Sequence, residues 1–281
     1  MSSLETRSLD GRRRMLPSVW MMNAPAFMPD SSVVSDIVPS ANYGERRNDR
    51  VPDLIVLHYT GFADAATAIA RLTTAGTEIS AHYIVQEDGK IIQCVPESRR
   101  AWHAGASSWA GENDINSISI GIEIVNGGHD RGLPAYPLRQ IAAVIALCRG
   151  IMIRRNIPRH RIVGHSDIAP GRKQDPGEHF PWQLLADSGV GYYAPPARIV
   201  DGPTLAVGST GQDVRALQES LVQLGYDLPA TGQYDFPTLE TVAAFQRHYR
   251  PALIDGIADR STLLTLKQLL AQRSIPTALA A

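Results

Sequence analysis

The chain carries 27 Lys and Arg against 28 Asp and Glu over 281 residues, a formal net charge of -1. With no basic surplus to neutralise phosphates, nucleic acid is excluded as the expected partner. The length and a hydrophobic content of 44% suffice for one large and one small domain, and no run reaches the roughly 18 apolar residues of a membrane span.

Cys94 and Cys148 sit inside apolar patterns and read as buried free thiols rather than as a bridge or metal ligands. No cysteine precedes Cys94, so no lipid anchor on an N-terminal cysteine is expected. Arg12-Arg13-Arg14, the stretch Met15 to Met22 and Ala24-Pro25-Ala26 have the outline of an export signal, but Pro17, Ser18, Asn23 and Pro25 break it. The expected location is cytoplasmic, with the periplasm as the alternative.

Residues 1–45 lack periodicity and read as an extended arm that wraps or stays mobile. Leu54-Ile55-Val56-Leu57 is a strand buried on both faces, ending at His58. Ala65 to Leu72 has helical composition. His82 to Val85 and Ile91 to Val95 flank Asp88-Gly89, a two-residue hairpin signal. Ser117 to Val125 alternates, with Ile118, Ile120, Ile122 and Ile124 on one face and Ser119, Gly121 and Glu123 on the other, where small neighbours leave room for a substrate. Leu138 to Ile153 is an amphipathic helix with Ile141, Val144, Ile145, Cys148 and Met152 as its apolar stripe. Arg161-Ile162-Val163 ends a further strand, which opens into a loop at His165. Strands alternating with helices, plus one hairpin, argue for an α/β fold: a mixed sheet flanked by helices over residues 46–190. Residues 191–207, with Pro195-Pro196 and Gly202-Pro203, read as a linker. Residues 208–272 then predict a small three-helix domain, with helices from Val214 to Leu224, Thr238 to Tyr249 and Ser261 to Leu270; the end from Ser274 looks frayed.

His58 and His165 end separate apolar strands in the same way, and Asp175 lies on a loop held by Pro176 and Gly177. Two imidazoles and one carboxylate with a position left for water suit Zn²⁺. Each strand-end histidine could instead be a hydrogen-bonded structural residue. Glu123, in an isoleucine-rich strand, is the candidate general base if it faces a cleft; otherwise it points to solvent. Lys173 is either a cation that stabilises developing negative charge or an ordinary loop lysine.

Five segments, Val56 to Thr60, Ser80 to Tyr83, Ala101 to Gly105, Ser119 to Glu123 and Gly164 to Gly177, together resemble the zinc-dependent N-acetylmuramoyl-L-alanine amidases. The likeness is to the branch related to T7-type lysozyme and peptidoglycan-recognition proteins, nearest the broad-specificity AmiD-like group. It implies zinc on His58, His165 and Asp175, Glu123 as general base and Lys173 as oxyanion partner. The implied reaction is hydrolysis of the amide between the lactyl group of N-acetylmuramic acid and L-alanine, in peptidoglycan or a muropeptide. His82 and His103 fall in these motifs as packing or substrate-contact residues, with Trp102 and Trp109 as walls. His129, His160, His179 and His248 match nothing and read as surface residues. The C-terminal unit resembles a peptidoglycan-binding domain, from Leu224-Gly225-Tyr226, Phe245-Gln246 and Asp255-Gly256 among others. Two rivals stand beside this reading: a non-catalytic peptidoglycan receptor and a peptidase of altered bond choice. No oligomeric state is implied.

Overall fold

A computed structural model describes residues 26–273; the Arg12–Arg14 run, Ala24-Pro25 and the end from Ser274 lie outside the described residues. The arm adds two short strands, β1 (Asp36–Ile37) and β2 (Tyr43–Gly44). The first long strand is β3 (Leu54–Tyr59), and α1 (Ala65–Thr73) follows, started by Asp64, whose side chain accepts from the Thr67 N–H at 2.7 Å. β4 (Tyr83–Val85) and β5 (Ile91–Gln93) form the expected hairpin. Its loop is longer than the Asp88-Gly89 signal suggests. The Gln86 N–H donates to the Lys90 carbonyl, leaving three residues, Glu87 to Gly89, in the turn.

β6 (Arg100–Ala101) pairs antiparallel with β2. A single helical turn, α2 (Ile115–Ile118), then leads into β7 (Ser119–Ile124). Ile118 therefore belongs to the turn, not to the alternating strand. After α3 (Leu138–Arg155) come β8 (Ile162–Gly164), a second single turn, α4 (His165–Ile168), and α5 (Trp182–Asp187). His165 thus opens a helical turn where a loop was expected. Three helices close the described residues: α6 (Gln212–Leu224), α7 (Phe236–Tyr249) and α8 (Arg260–Arg273).

The main sheet runs β1-β5-β4-β7-β3-β8, parallel except for the β4–β5 hairpin. α3 covers one face, packing Ile141, Val144, Leu147, Cys148 and Ile151 against Ile55, Leu57, Ile120 and Ile122. Its stripe lies slightly off the predicted one: Leu147 and Ile151 are buried, while Ile145 and Met152 stay half-buried. Both cysteines are buried and free. On the opposite face Leu54 and Val56 join an apolar cluster that continues through Trp109 and Ile168 to Leu221, Tyr226 and Phe245. The helical unit and the sheet therefore share a core. Among the described residues no helix is long and apolar enough to cross a membrane.

Candidate metal centre and active site

The register of the sheet assembles the site. In parallel strands paired residues point to the same face, and His58 of β3 is paired with Glu123 of β7. β8 stops at Gly164 opposite Leu57, so His165 emerges next to His58. Three chemically active side chains are thus set in a row at the carboxyl ends of parallel strands, where open α/β sheets place their ligands. Asp175 arrives from the loop after α4, which is tied back by the Ser166 N–H donating to the Asp175 carbonyl at 2.9 Å. Its Oδ2 lies 2.9 Å from His58 Nδ1 and 3.0 Å from His165 Nδ1, and the two Nδ1 atoms are 2.9 Å apart.

Hydrogen-bond partners decide which ring nitrogens carry protons. The Ser119 hydroxyl donates to the Ile115 carbonyl at 2.6 Å, so its oxygen accepts from His103 Nε2–H at 3.1 Å. His103 Nδ1 is then bare and accepts from His58 Nε2–H at 3.0 Å. His165 Nε2–H donates to the Ala104 carbonyl, also at 3.0 Å. Both metal-facing Nδ1 atoms therefore present lone pairs toward each other and toward a carboxylate. Only a cation relieves such an arrangement, and two imidazoles with one carboxylate, all buried, fit Zn²⁺.

The electrostatics follow from the same geometry. Burial, then the neighbouring His165, push His58 down to about 4, keeping its lone pair free. Burial alone would raise the Asp175 carboxyl, but His165 and His58 more than offset it and hold it well below the usual carboxylate range. Glu123 goes the other way: burial first, then the Asp175 charge, raise it well above an ordinary glutamate, against a lowering by Lys173. Its Oε2 is shielded and has no hydrogen-bond partner. Glu123 and Lys173 line one cleft of about 450 Å³ with the three ligands.

Several expectations are corrected here. The space over Ser119 and Gly121 holds His103 rather than substrate; a Cβ on Gly121 would sit 2.4 Å from that ring. His82, expected to pack or to touch substrate, packs: it is fully buried, its Nδ1 accepting from the Gly121 N–H. Trp102 lines the cleft, but Trp109 is buried edge-on against Tyr226 of the helical unit, 5.0 Å between ring centres, and is not part of the cleft lining. His129 is a cleft residue, its Nδ1 2.9 Å from the Tyr59 hydroxyl and its Nε2 3.0 Å from Glu178. His160 is half-buried and His248 wholly so, leaving His179 alone as exposed. Sequence reasoning also passed over Arg172, at the cleft rim, which donates to the Ala104 and Ala106 carbonyls.

Comparison with known proteins leads to the same place. The family described as N-acetylmuramoyl-L-alanine amidase matches residues 48–178, and a peptidoglycan binding domain family matches residues 210–266. The chain is 37% identical over 232 residues to the N-acetylmuramoyl-L-alanine amidase AmiD of Escherichia coli, covering 77% of this chain and 82% of that protein. It is 35% identical over 162 residues to the 1,6-anhydro-N-acetylmuramyl-L-alanine amidase AmpD of the same organism, covering 52% of this chain and 86% of the relative. The solved complex of the E. coli AmiD with anhydro-N-acetylmuramic acid-L-Ala-D-gamma-Glu-L-Lys superposes with a TM-score of 0.67 at 34% identity, covering 81% of this chain and 91% of that one.

Proposed function

The chain belongs to the N-acetylmuramoyl-L-alanine amidase family, and from that premise we propose that Glu123 and Lys173 carry out the hydrolysis of the amide between N-acetylmuramic acid and L-alanine. The carrying observation is the convergence of His58, His165 and Asp175 on one point, beside an unpartnered Glu123 in an open cleft.

Bound zinc supplies Lewis-acid polarisation of the scissile carbonyl and makes the attacking water more acidic. Glu123 takes a proton from that water as the new C–O bond forms. Its shielded, unsatisfied oxygen and raised proton affinity suit it to the task. Lys173 faces the charge that develops on the carbonyl oxygen. As the C–N bond breaks, Glu123 returns the proton to the leaving amine of L-alanine, and the products are a free lactyl carboxylate and a free L-alanyl peptide. The helical unit holds the enzyme on peptidoglycan and so raises the local substrate concentration.

A soluble muramoyl peptide and isolated wall are the test substrates, with products identified by mass spectrometry. Release of an intact peptide with a free L-alanyl amine, stopped by EDTA and restored by zinc, is expected. Cleavage between peptide residues would assign a peptidase instead. Tight binding without turnover in the zinc-loaded protein would assign a receptor.

A further inference from the structure

The helical unit closes over the back of the turn that carries His165. Asp167, two positions on in α4, is 1% exposed, and its carboxylate collects three donors. The Gly164 N–H gives one, at 2.7 Å from Oδ2. The other two cross from the helical unit: the Tyr226 hydroxyl at 2.8 Å from Oδ1, and His248 Nδ1–H at 2.7 Å from Oδ2. The His248 ring is held flat between Trp182 and Tyr249, with both ring centres 3.7 Å away.

α7 also touches the loop beyond. Glu240 lies so close to Gly171 that a Cβ there would be 2.3 Å from its carboxyl carbon, and Arg247 Nε stands 3.6 Å from Glu178. Helical-unit side chains therefore meet the segment 164–178 on both sides of Lys173 and Asp175.

A single helical turn cannot hold its own geometry, because nucleation costs more than one turn of hydrogen bonds returns. The direction in which His165 leaves β8 thus depends on bonds made from outside α4. Asp167 makes the inner one, to Gly164, and a buried carboxylate that loses a donor is strongly under-satisfied. We propose that the helical unit has a role besides wall binding: Tyr226 and His248 act through Asp167 as positioning residues that brace the metal-ligand segment. The inference rests on the zinc reading of that segment.

The test uses the full chain with Tyr226→Phe, His248→Phe and the double variant, which keep an aromatic ring at each position and remove the donors to Asp167. His248→Asn, whose side-chain amide replaces the Nδ1–H, serves as the rescue. Zinc affinity is measured by competition with a chromogenic chelator, kcat and KM on a small soluble muramoyl peptide, and wall binding by co-sedimentation. Direct outer partners of metal ligands are worth roughly 10–100-fold in affinity. Acting one residue removed, the double variant is expected to bind zinc about three- to ten-fold more weakly, to lose kcat more than KM, and to sediment with wall unchanged. His248→Asn is expected to recover most of the loss. Unchanged zinc affinity alongside a lowered melting temperature would overturn the proposal, reducing these contacts to packing. Should the double variant fail to fold, Tyr226→Phe alone decides: a weaker zinc affinity supports the brace and an unchanged one overturns it. The zinc titration needs no turnover, so a wild-type chain that binds zinc without hydrolysing the amide would sink the catalytic reading while leaving the brace to be judged.

Discussion

Two buried polar clusters sit on this sheet, and they are built on opposite terms. In one, Arg46 donates to the carbonyls of Glu97, Asn116, Ser117 and Ser119. Glu97, fully buried, accepts from the Tyr83 hydroxyl, Arg154 and Arg155, each at 2.7 Å. Each of these charged groups finds its partners inside the chain. In the other, two bare imidazole nitrogens and a carboxylate face one another, and Glu123 Oε2 beside them has no partner at all. Residue type does not separate the two, since both are rich in buried ionisable groups. Completeness of the internal hydrogen bonding does: the first cluster is finished by the fold, the second by what enters the cleft.

The largest effect expected from this contrast is at the unfinished cluster. Asp175→Ala removes one of three zinc donors and is expected to abolish activity and stoichiometric zinc, read by elemental analysis of the purified protein. A variant that keeps its zinc would mean the donors are elsewhere. Glu123→Gln should retain zinc yet lose about 10²–10⁴-fold in kcat, the usual worth of a general base.

The pH profile sharpens that prediction. A general base acts only when ionised, and the proton affinity of Glu123 is raised, so under the proposed role kcat/KM is expected to fall as pH drops through a value well above an ordinary glutamate's. His58, pushed down to about 4, stays unprotonated through that limb. An acid limb that persists unchanged in the residual activity of Glu123→Gln would remove Glu123 from the mechanism.

At the finished cluster the expectation reverses. Glu97→Ala leaves two arginines without their carboxylate. Breaking a buried pair costs roughly 3–5 kcal/mol, and because the Arg154 and Arg155 side chains are 32% and 26% exposed, about 2–4 kcal/mol is expected here. Urea denaturation would measure it, with zinc affinity unchanged. Lost zinc binding in a folded Glu97→Ala chain would erase the distinction between the clusters.

The strands that carry His58 and Glu123 near their carboxyl ends, and the loop bearing Asp175, are legible because long apolar runs and Pro-Gly punctuation have a period or a breaker to read. The single turns Ile115–Ile118 and His165–Ile168 are not: four residues carry no helical period, so Ile118 merges into the alternation of β7. His248 reads as a surface residue yet continues the buried line of Phe245 at i+3; it faces the amidase unit, and amphipathic counting assumes one buried side. His103 was placed near the cleft, but its function resides in which nitrogen holds the proton. That is set by Ser119, sixteen residues away, and has no sequence signature.

Ser119→Ala probes that proton directly and should give the smallest effect. Without the hydroxyl, His103 Nε2–H loses its acceptor and the ring no longer prefers to keep Nδ1 bare. A proton moved to His103 Nδ1 would confront His58 Nε2–H, and His58 could answer only by carrying its own proton on Nδ1, where it competes with the metal. A neutral hydrogen bond is worth about 1 kcal/mol, so zinc affinity is expected to weaken about five-fold, with stability little changed because the small side chain leaves little space behind. Chelator competition on the wild-type and Ser119→Ala chains resolves a difference of that size. Equal affinities would show that the His58 tautomer is held by the metal itself and not by the relay from the Ile115 carbonyl.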